Sequence, residues 1–329
     1  MYRIFNTEKA FSHYKDYADR VWHSVNQYLN DNMAVLNNSY TKEFLNQIIQ
    51  SDPSRNDTGS LLEIILMGNY QQQKALIAGV DFKLRSQDEK DLFYKTTKEV
   101  FVEGFYENKK FFDKNRHMER VGIEVCPYCG RSYIMTAPHP TITNPNTIIK
   151  SHIDHFLPKD TYPYLSINYF NLIPCCPTCN LSPCKWDHDP IGEDRTHEYL
   201  MQPYEFRKEE IVFNYIPTTR FYKDFSVKVS MRVNKEELKE GYNKWLALDK
   251  LYEKHNGIVT GMYEQLESIV SVSYSSYLKD KFKLPGDFLK KVPLILCGKQ
   301  LDDEKAPYVI HHKFKKDICA QIMDDLKHY

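Results

Sequence analysis

The sequence predicts an α+β protein in which a small zinc-supported core lies between two mainly helical regions. Two Cys-x-x-Cys pairs bracket a polar stretch in the middle of the chain, apolar residues recur at helical spacing before it, and strand-like alternation follows it. A chain of 329 residues is long enough for two or three compact units. We therefore expect a helical N-terminal region over 1–120, a zinc-supported core over 121–205, and a mixed, mainly helical C-terminal region over 206–329.

The first region has the periodicity of amphipathic helices. Its first apolar face has a spacing of three or four residues and comprises Phe11, Tyr14, Tyr17, Ala18, Val21, Val25 and Leu29. Further amphipathic runs cover 41–50, 60–78 and 87–107. Because nothing in this region has the spacing of metal ligands, we interpret it as a docking or supporting region.

The two Cys-x-x-Cys pairs predict one structural zinc site. Zinc prefers four tetrahedral ligands, and a gap of two residues lets both sulfurs of a pair reach the same ion. The predicted ligands are Cys126, Cys129, Cys176 and Cys179. Buried free cysteines, or a redox motif for one pair, are the alternatives. Two pairs with Pro and Gly beside them favour zinc.

The remaining four cysteines have no such spacing. Cys175 and Cys184 lie beside the second pair and could compete for the metal. Cys297 and Cys319 have apolar surroundings in the sequence, and we assign them to the core.

Between the cysteine pairs lies a polar cluster that can support metal-dependent catalysis. The β-branched run 147–149 predicts a strand leading into His152, Asp154 and His155. A carboxylate and an Asn carbonyl are suited to magnesium or manganese, and a neutral imidazole beside the metal can accept a proton from water. An isolated Asp-His pair would indicate a turn or a surface patch, but the position between two halves of a zinc site favours catalysis. His152 shares a face with Asp154, and there we favour a solvated side chain over a ligand.

The third region predicts a hairpin followed by helices. Alternating or β-branched residues indicate strands over 210–216 and 224–232. Helices are expected over 235–254, 257–281 and 308–327, with Pro285-Gly286 breaking the chain between the last two. The apolar stripe of the last helix favours packing within the chain over a partner-binding face.

Charge and composition limit the possible functions. Lys plus Arg and Asp plus Glu both total 44, and the pI is about 7.2, which argues against strong unaided binding to DNA. The stretch 109–120 is locally basic and forms either a phosphate-binding patch or a solvated helix face. No long apolar span and no signal peptide are visible, and the cysteine spacing fits a reducing cytoplasm.

The order CPYC, DHFxPK, YPYL and NLIPxCxxCN resembles the HNH endonuclease family. The similarity is greatest to the bacterial branch with a four-cysteine zinc site, including Septu-type defence nucleases. It covers 126–185 strongly and continues weakly through 202–205. The resemblance implies a ββα-metal core with a structural zinc ion and a catalytic magnesium or manganese ion.

The same resemblance implies a role for individual residues. His155 corresponds to the general base and Asp154 to the first ligand of the catalytic metal. Asn171 corresponds to the asparagine that holds the loop and orients the histidine, and Asn180 to the second metal ligand. Lys159 and Lys185 match basic positions near the phosphate. The sequence departs from the family pattern at Cys175, where Ser is more usual, and at Cys184.

The activity implied by the resemblance is hydrolysis of phosphodiester bonds, with DNA as the expected substrate. The family context implies an effector of bacterial defence against phages that works with an ATPase partner. Two alternatives stay open at this point. One is a catalytically silent zinc module that binds nucleic acid or a partner protein, and the other is an HNH enzyme that cleaves RNA.

Overall fold

A computed structural model gives the fold. It describes residues 1–5, 7–36, 39–51, 53, 59–134, 137–138, 148–149, 151–192, 195–221, 224–270, 277, 281, 306 and 308–327. Helices and small antiparallel sheets both occur, which confirms the mixed helix and sheet class. Within these residues, no helix is both long enough and apolar enough to cross a bilayer.

The N-terminal region is helical, as its periodicity predicts. Its helices are α1 Lys9–Asp31, α2 Tyr40–Ile49, α3 Leu61–Met67, α4 Tyr70–Lys83, α5 Gln87–Thr97 with a π-helical continuation Lys98–Tyr106, and α6 Lys114–Val121. Buried side chains of α1 include Tyr14, Tyr17 and Val21, which lie on the predicted apolar face.

The single run predicted over 60–78 is divided into α3 and α4. A Cβ atom on Gly68 would lie 2.6 Å from the carbonyl oxygen of Ile64, so the chain turns away from α3 at a residue without a side chain. Asn69 then caps α4: its side chain accepts a hydrogen bond from the Gln72 amide, and the Gln72 side chain accepts one from the Asn69 amide. This capping box begins a new helix inside an apolar run that continues across the break.

The described part of the central region contains short strands, one short α-helix and two 3-10 turns, Pro163–Leu165 and Pro203–Glu205. The strands and the α-helix are β1 Ala137–Pro138, β2 Ile148–Ile149, β3 His152–His155, β4 Leu172–Cys175 and α7 Pro177–Asn180. Strands β1 and β2 pair with each other, and β3 pairs antiparallel with β4 so that His155 lies opposite Leu172. The chain therefore passes through a two-stranded sheet directly into the helix that carries Asn180.

The C-terminal region begins with the predicted hairpin, formed by β5 Ile211–Phe221 and β6 Asp224–Val233. The helix predicted over 235–254 is wrong as one element. The observed elements are a π-helical turn Glu240–Trp245, α8 Leu248–Tyr252, a 3-10 turn Glu253–His255, α9 Asn256–Val270 and α10 His312–Lys327. Ala247 has φ +47° and interrupts the helix, because this left-handed conformation cannot continue a right-handed one.

Some expectations for the C-terminal region lie outside the described residues. These are Cys297, the Pro285-Gly286 break, and most of the predicted helix beyond Val270. Cys319 is described and is buried, as predicted.

Helix α10 packs within the chain. Phe314, Ile318 and Ile322 are fully buried, and the Phe314 ring lies 5.4 Å from that of Phe213 on β5. The Gln321 side chain also accepts a hydrogen bond from the Tyr215 amide and donates one to the Tyr215 carbonyl. The apolar stripe is therefore core, as the sequence favoured, and it is not an exposed surface for a partner.

Two buried histidines join the N-terminal helices to the central region. His13 on α1 donates from Nε2 to the Ile167 carbonyl, and His117 on α6 donates from Nε2 to the Leu172 carbonyl, both at 2.8 Å. Neither Nδ1 has a hydrogen-bond partner among the described residues. Burial lowers the pKa of His13 and lowers that of His117 to about 4. Both rings are therefore neutral at physiological pH.

This packing predicts a specific acid sensitivity. His117 has a pKa near 6.5 when unfolded and about 4 when folded, so the stability it contributes is complete above pH 6.5 and declines as the pH falls toward 4. We expect His117→Gln to reduce the loss of unfolding free energy between pH 7.5 and pH 5 by about 2 kcal/mol. Urea unfolding at both pH values measures the unfolding free energy of each protein and so gives this difference.

The matched control is His23→Gln, because the His23 side chain is 66% exposed on the same group of helices. This variant is expected to keep the pH dependence of the unmodified protein. Identical pH dependence in all three proteins would contradict a role for His117 in acid sensitivity. Acid effects on the cysteines are common to all three and cancel in the comparison.

Candidate functional site

The four predicted zinc ligands meet in the buried centre of the molecule. The sulfurs of Cys126, Cys129, Cys176 and Cys179 all lie within 4.8 Å of one another. The Sγ atoms of Cys129 and Cys176 are 4.0 Å apart. Tetrahedral zinc with bonds of about 2.3 Å separates its sulfurs by about 3.8 Å. The geometry confirms the predicted four-cysteine cluster, which can hold a structural zinc ion.

Backbone hydrogen bonds shape the first cysteine turn for metal binding. The Gly130 amide donates to the Cys126 carbonyl at 2.8 Å, and the Arg131 amide points at the Cys129 sulfur at 3.4 Å. Gly130 has φ +64°, and a Cβ atom there would lie 2.2 Å from the Met1 nitrogen. A glycine is therefore required where this turn closes.

The second cysteine turn joins β4 to α7. The amides of Cys179 and Asn180 both point at the Cys176 carbonyl, at 3.1 and 3.2 Å. Cys175 is buried outside the four-thiol cluster, and the half-buried Cys184 also lies outside it. The structure therefore separates the two possible competitors from the four ligands.

The His155 side chain is held in one tautomer. It lies at the end of β3, is 8% exposed, and its Nε2 is 3.0 Å from the Ser166 carbonyl oxygen. A carbonyl can only accept, so Nε2 carries the proton in the neutral ring and Nδ1 keeps its lone pair. Burial lowers the pKa of His155 to about 3, which keeps the ring neutral. The Tyr106 ring packs edge-on against it at 4.4 Å.

Asn171 fixes the loop that supplies the carbonyl for His155. It is fully buried and accepts a hydrogen bond from the Leu157 amide at 2.7 Å. Its amide group donates to the carbonyls of Leu157 and Leu165 at 3.1 and 3.0 Å. Leu165 directly precedes Ser166, so Asn171 ties the two ends of this loop together beneath the histidine.

Asp154 lies in a buried polar group. The Tyr128 hydroxyl donates to its carboxylate at 2.6 Å, and the Lys185 ammonium lies 3.9 Å from its other oxygen. Burial raises the pKa of Asp154, while Lys185 and the Tyr128 hydrogen bond act in the opposite direction. Lys185 is itself fully buried, and its Nζ is 3.5 Å from the His155 carbonyl oxygen. The ammonium group of Lys185 thus partly offsets the effect of burial on the Asp154 carboxylate.

Asn180 borders an open cleft of about 170 Å³, several times the roughly 30 Å³ occupied by one water in the liquid. The Asn180 amide nitrogen donates to His152 Nδ1 at 3.2 Å, which directs its carbonyl oxygen elsewhere. His152 is half-buried and lines the same cleft, so the favoured solvated side chain stays a prediction. The cleft is lined by Tyr106, Lys114, Asn115, Met118, Ser151, His152, Ile153 and Asn180.

The polar partners of the predicted metal ligands differ. Asp154 contacts Tyr128 and Lys185, whereas Asn180 contacts His152. Asp154 and His155 are neighbours on β3, opposite Ile173 and Leu172 of β4. Asp154 and His155 thus lie on β3, Asn171 directly before β4, and Asn180 on α7, with Asn180 at the cleft and Asp154 buried.

The predicted basic groups are mostly engaged in ion pairs. Lys159 lies 3.2 Å from the Glu107 carboxylate, and Arg116 lies 2.9 Å from Asp16. Arg120 also pairs with Asp16. Within the basic stretch 109–120, Lys114 is the basic residue that lines the cleft, and its Nζ is 4.0 Å from the centre of the Tyr106 ring.

Three residues of this site were not identified from the sequence: Tyr106, Tyr128 and Ser166. Tyr128 lies inside the CPYC motif, so its position could have been noticed, although not its bond to Asp154. Ser166 acts through its carbonyl, which any residue type could supply. Tyr106 belongs to a helical region that has no sequence signal for chemistry.

Comparison with known proteins gives one partial similarity. A stretch of 51 residues is 41% identical to the Septu protein PtuB of Bacillus thuringiensis, and it spans 16% of this chain and 16% of that protein. No family model matches the chain. No solved structure matches it either. The partial similarity and the four-cysteine cluster together fit a Septu-like zinc module.

The cluster predicts tight zinc binding that depends on the four thiols. After mild chelation, elemental analysis is expected to find about one zinc ion per chain, because four thiolates leave no open coordination position. Cys126→Ser is expected to lose zinc and lower the melting temperature, since metal binding contributes to folding. Cys184→Ser is the control, because Cys184 lies outside the cluster. Zinc-free, monodisperse and folded unmodified protein would contradict the assignment.

Proposed function

We propose that this protein is an HNH-type endonuclease that hydrolyses phosphodiester bonds in DNA. The observation that carries the proposal is the neutral His155 ring, held through Nε2 by the Ser166 carbonyl. A general base needs a lone pair held in one orientation, and the Nδ1 atom of this fixed tautomer provides it. The order of β3, β4 and α7, with the cysteine cluster beside it, supports a ββα-metal core within 121–205.

In this proposal His155 removes a proton from the attacking water. A neutral imidazole can accept that proton, and its Nε2–H bond to Ser166 stabilises the ring as it becomes positively charged. Asn171 holds this arrangement in place, because its side chain closes the loop between Leu157 and Leu165, directly before Ser166. Asn171 is therefore a positioning residue, which acts through the carbonyl that holds His155.

The donor types also fit a catalytic divalent ion. Asp154 offers a carboxylate and Asn180 an amide oxygen, both hard oxygen ligands of the kind that magnesium and manganese prefer. The hydrogen bond from the Asn180 nitrogen to His152 leaves its oxygen as the donor atom for a metal. Such an ion would stabilise negative charge on the leaving oxygen. Lys159 and Lys185 are proposed to add positive charge near the phosphate, with Lys185 acting through Asp154.

The proposed biological role is defence against phages. The similarity to a Septu protein supports this role, and the resemblance to Septu-type nucleases supports an ATPase partner. The balanced charge of the chain also favours a partner that recruits the nuclease, because few counterions are released when a neutral protein binds DNA. A reducing cytoplasm would keep the zinc thiols free of disulfides.

The test of the catalytic assignment is His155→Ala. Loss of a general base is expected to slow single-turnover cleavage by about 10²–10⁴-fold, with zinc content and melting temperature close to those of the unmodified protein. His23→Ala is the matched control, because it removes an exposed imidazole from α1. Equal cleavage rates for His155→Ala and the unmodified protein would reject His155 as the base. If the protein, alone or with its partner, binds DNA but does not cleave it, the alternative of a catalytically silent zinc module is favoured.

The recruitment hypothesis predicts that activity depends on the partner. We expect weak plasmid nicking by the isolated chain at physiological salt and a marked increase with the ATPase, because a chain with balanced charge releases few counterions on binding DNA. Plasmid and RNA cleavage, measured across a salt series with and without the partner, checks this. Full cutting by the isolated chain would contradict recruitment and leave the nuclease assignment intact.

A further inference from the structure

The loop Leu181–Trp186 joins the helix that carries Asn180 and presents an indole to solvent. It begins directly after Asn180, and the Trp186 side chain is 54% exposed. The other two tryptophans of the chain have partners: Trp22 donates to the Ile49 carbonyl at 2.7 Å, and Trp245 stacks on His188 at 4.7 Å. No ring partner of Trp186 is found in the part of the chain that the structure describes.

The loop backbone is fixed from the zinc cluster outward. The Lys185 amide donates to the carbonyl of the zinc ligand Cys179 at 2.9 Å, and the Cys184 amide donates to the Leu181 carbonyl at 2.8 Å. The buried Lys185 side chain adds an anchor at Asp154. Trp186 therefore follows a residue that is attached to both proposed metal sites, and its position is set by them.

The conformation of Trp186 is unfavourable for folding alone. Its φ of +37° lies in the left-handed region, which is an outlier for a bulky residue. The exposed indole gains little from burial in return. Strain of this kind is concentrated at sites that contact ligands, where the surrounding structure holds it in place.

The chemistry around the indole fits a nucleobase better than a phosphate. Asp187 is exposed next to Trp186 and repels phosphate, whereas an indole face stacks on any base. Leu181, 44% exposed at the other end of the loop, adds a second apolar side chain. The bases of an intact duplex are already stacked on one another, so the indole can reach a base face where bases are unpaired.

We propose that Trp186 is a stacking platform for an unpaired base beside the cleavage site. The substrate is then a nucleic acid with a single-stranded segment, and stacking provides affinity that the neutral charge of the chain does not. This inference rests on the proposed nuclease function and adds the structural class of its substrate. It applies equally to DNA and RNA, because every base has a π face.

The experiment measures binding separately from cleavage. Full-length, zinc-loaded His155→Ala protein is titrated with a thymidine oligonucleotide of about 12 nucleotides, a uridine oligonucleotide and a blunt duplex of the same length. Quenching of tryptophan fluorescence is expected with the single strands. Adding Trp186→Ala is expected to weaken single-strand binding roughly 5- to 150-fold and to remove the quenching. Adding Trp186→Phe should remove the quenching but keep most of the affinity, because phenylalanine also stacks.

Phe82→Ala is the matched control, since Phe82 is an aromatic residue of similar exposure on α4. Unchanged single-strand affinity in Trp186→Ala would overturn the proposal. Equal weakening of single-strand and duplex binding by Trp186→Ala would also overturn it. So would a Trp186→Ala protein that no longer binds the ATPase but still binds nucleic acid. If the unmodified complex cuts no nucleic acid but Trp186 is quenched by single strands, the nuclease function fails and the stacking site stands. If it cuts and Trp186→Ala has no effect, the stacking site alone fails.

Discussion

The four-cysteine cluster is the constraint on which the arrangement of the site depends. It joins a turn at Cys126–Cys129 to a turn at Cys176–Cys179, and the whole segment that carries Asp154, His155 and Asn171 lies between them. The two strands of this segment, β3 and β4, are four residues long and cannot be stable alone. A metal ion bound at the cluster would close the loop at both ends and add to the stability that buried side chains of this segment, such as Phe156 and Tyr164, provide. The position of α7, and with it Asn180, follows directly from the second turn.

The surrounding helices are also part of the site. His13 and His117 reach from α1 and α6 to the carbonyls of Ile167 and Leu172, which both follow the loop that Asn171 closes. Three histidines thus share one device: a buried neutral ring donates from Nε2 to a backbone carbonyl and holds a segment without bringing a charge into the interior. Of the three, His155 is the one on β3 next to Asp154, and it is the residue for which we propose a catalytic role.

The charged groups near the site are matched to one another. Lys185 is fully buried against Asp154, and Tyr128 donates to the same carboxylate. A buried carboxylate needs such partners, because removal of either would leave a charge or a polar atom uncompensated. Lys159 is paired with Glu107 at the periphery. The positive charges of Lys185 and Lys159 are therefore each paired with a carboxylate of the protein itself.

The sequence alone determined the elements whose signals are local. The Cys-x-x-Cys spacing identified the cluster because ligand geometry is encoded in short turns, and the apolar periodicity identified α1 and the β5–β6 hairpin because it reports burial on one face. The same signals did not reveal the break at Gly68 or the left-handed conformation of Ala247, because apolar periodicity continues across a cap or a single unusual φ value. The tertiary structure alone decided that Lys185 is buried on Asp154, that Ser166 holds His155, and that His117 supports β4. These contacts join residues far apart in the chain, often through backbone atoms that every residue possesses, so no spacing in the sequence can encode them.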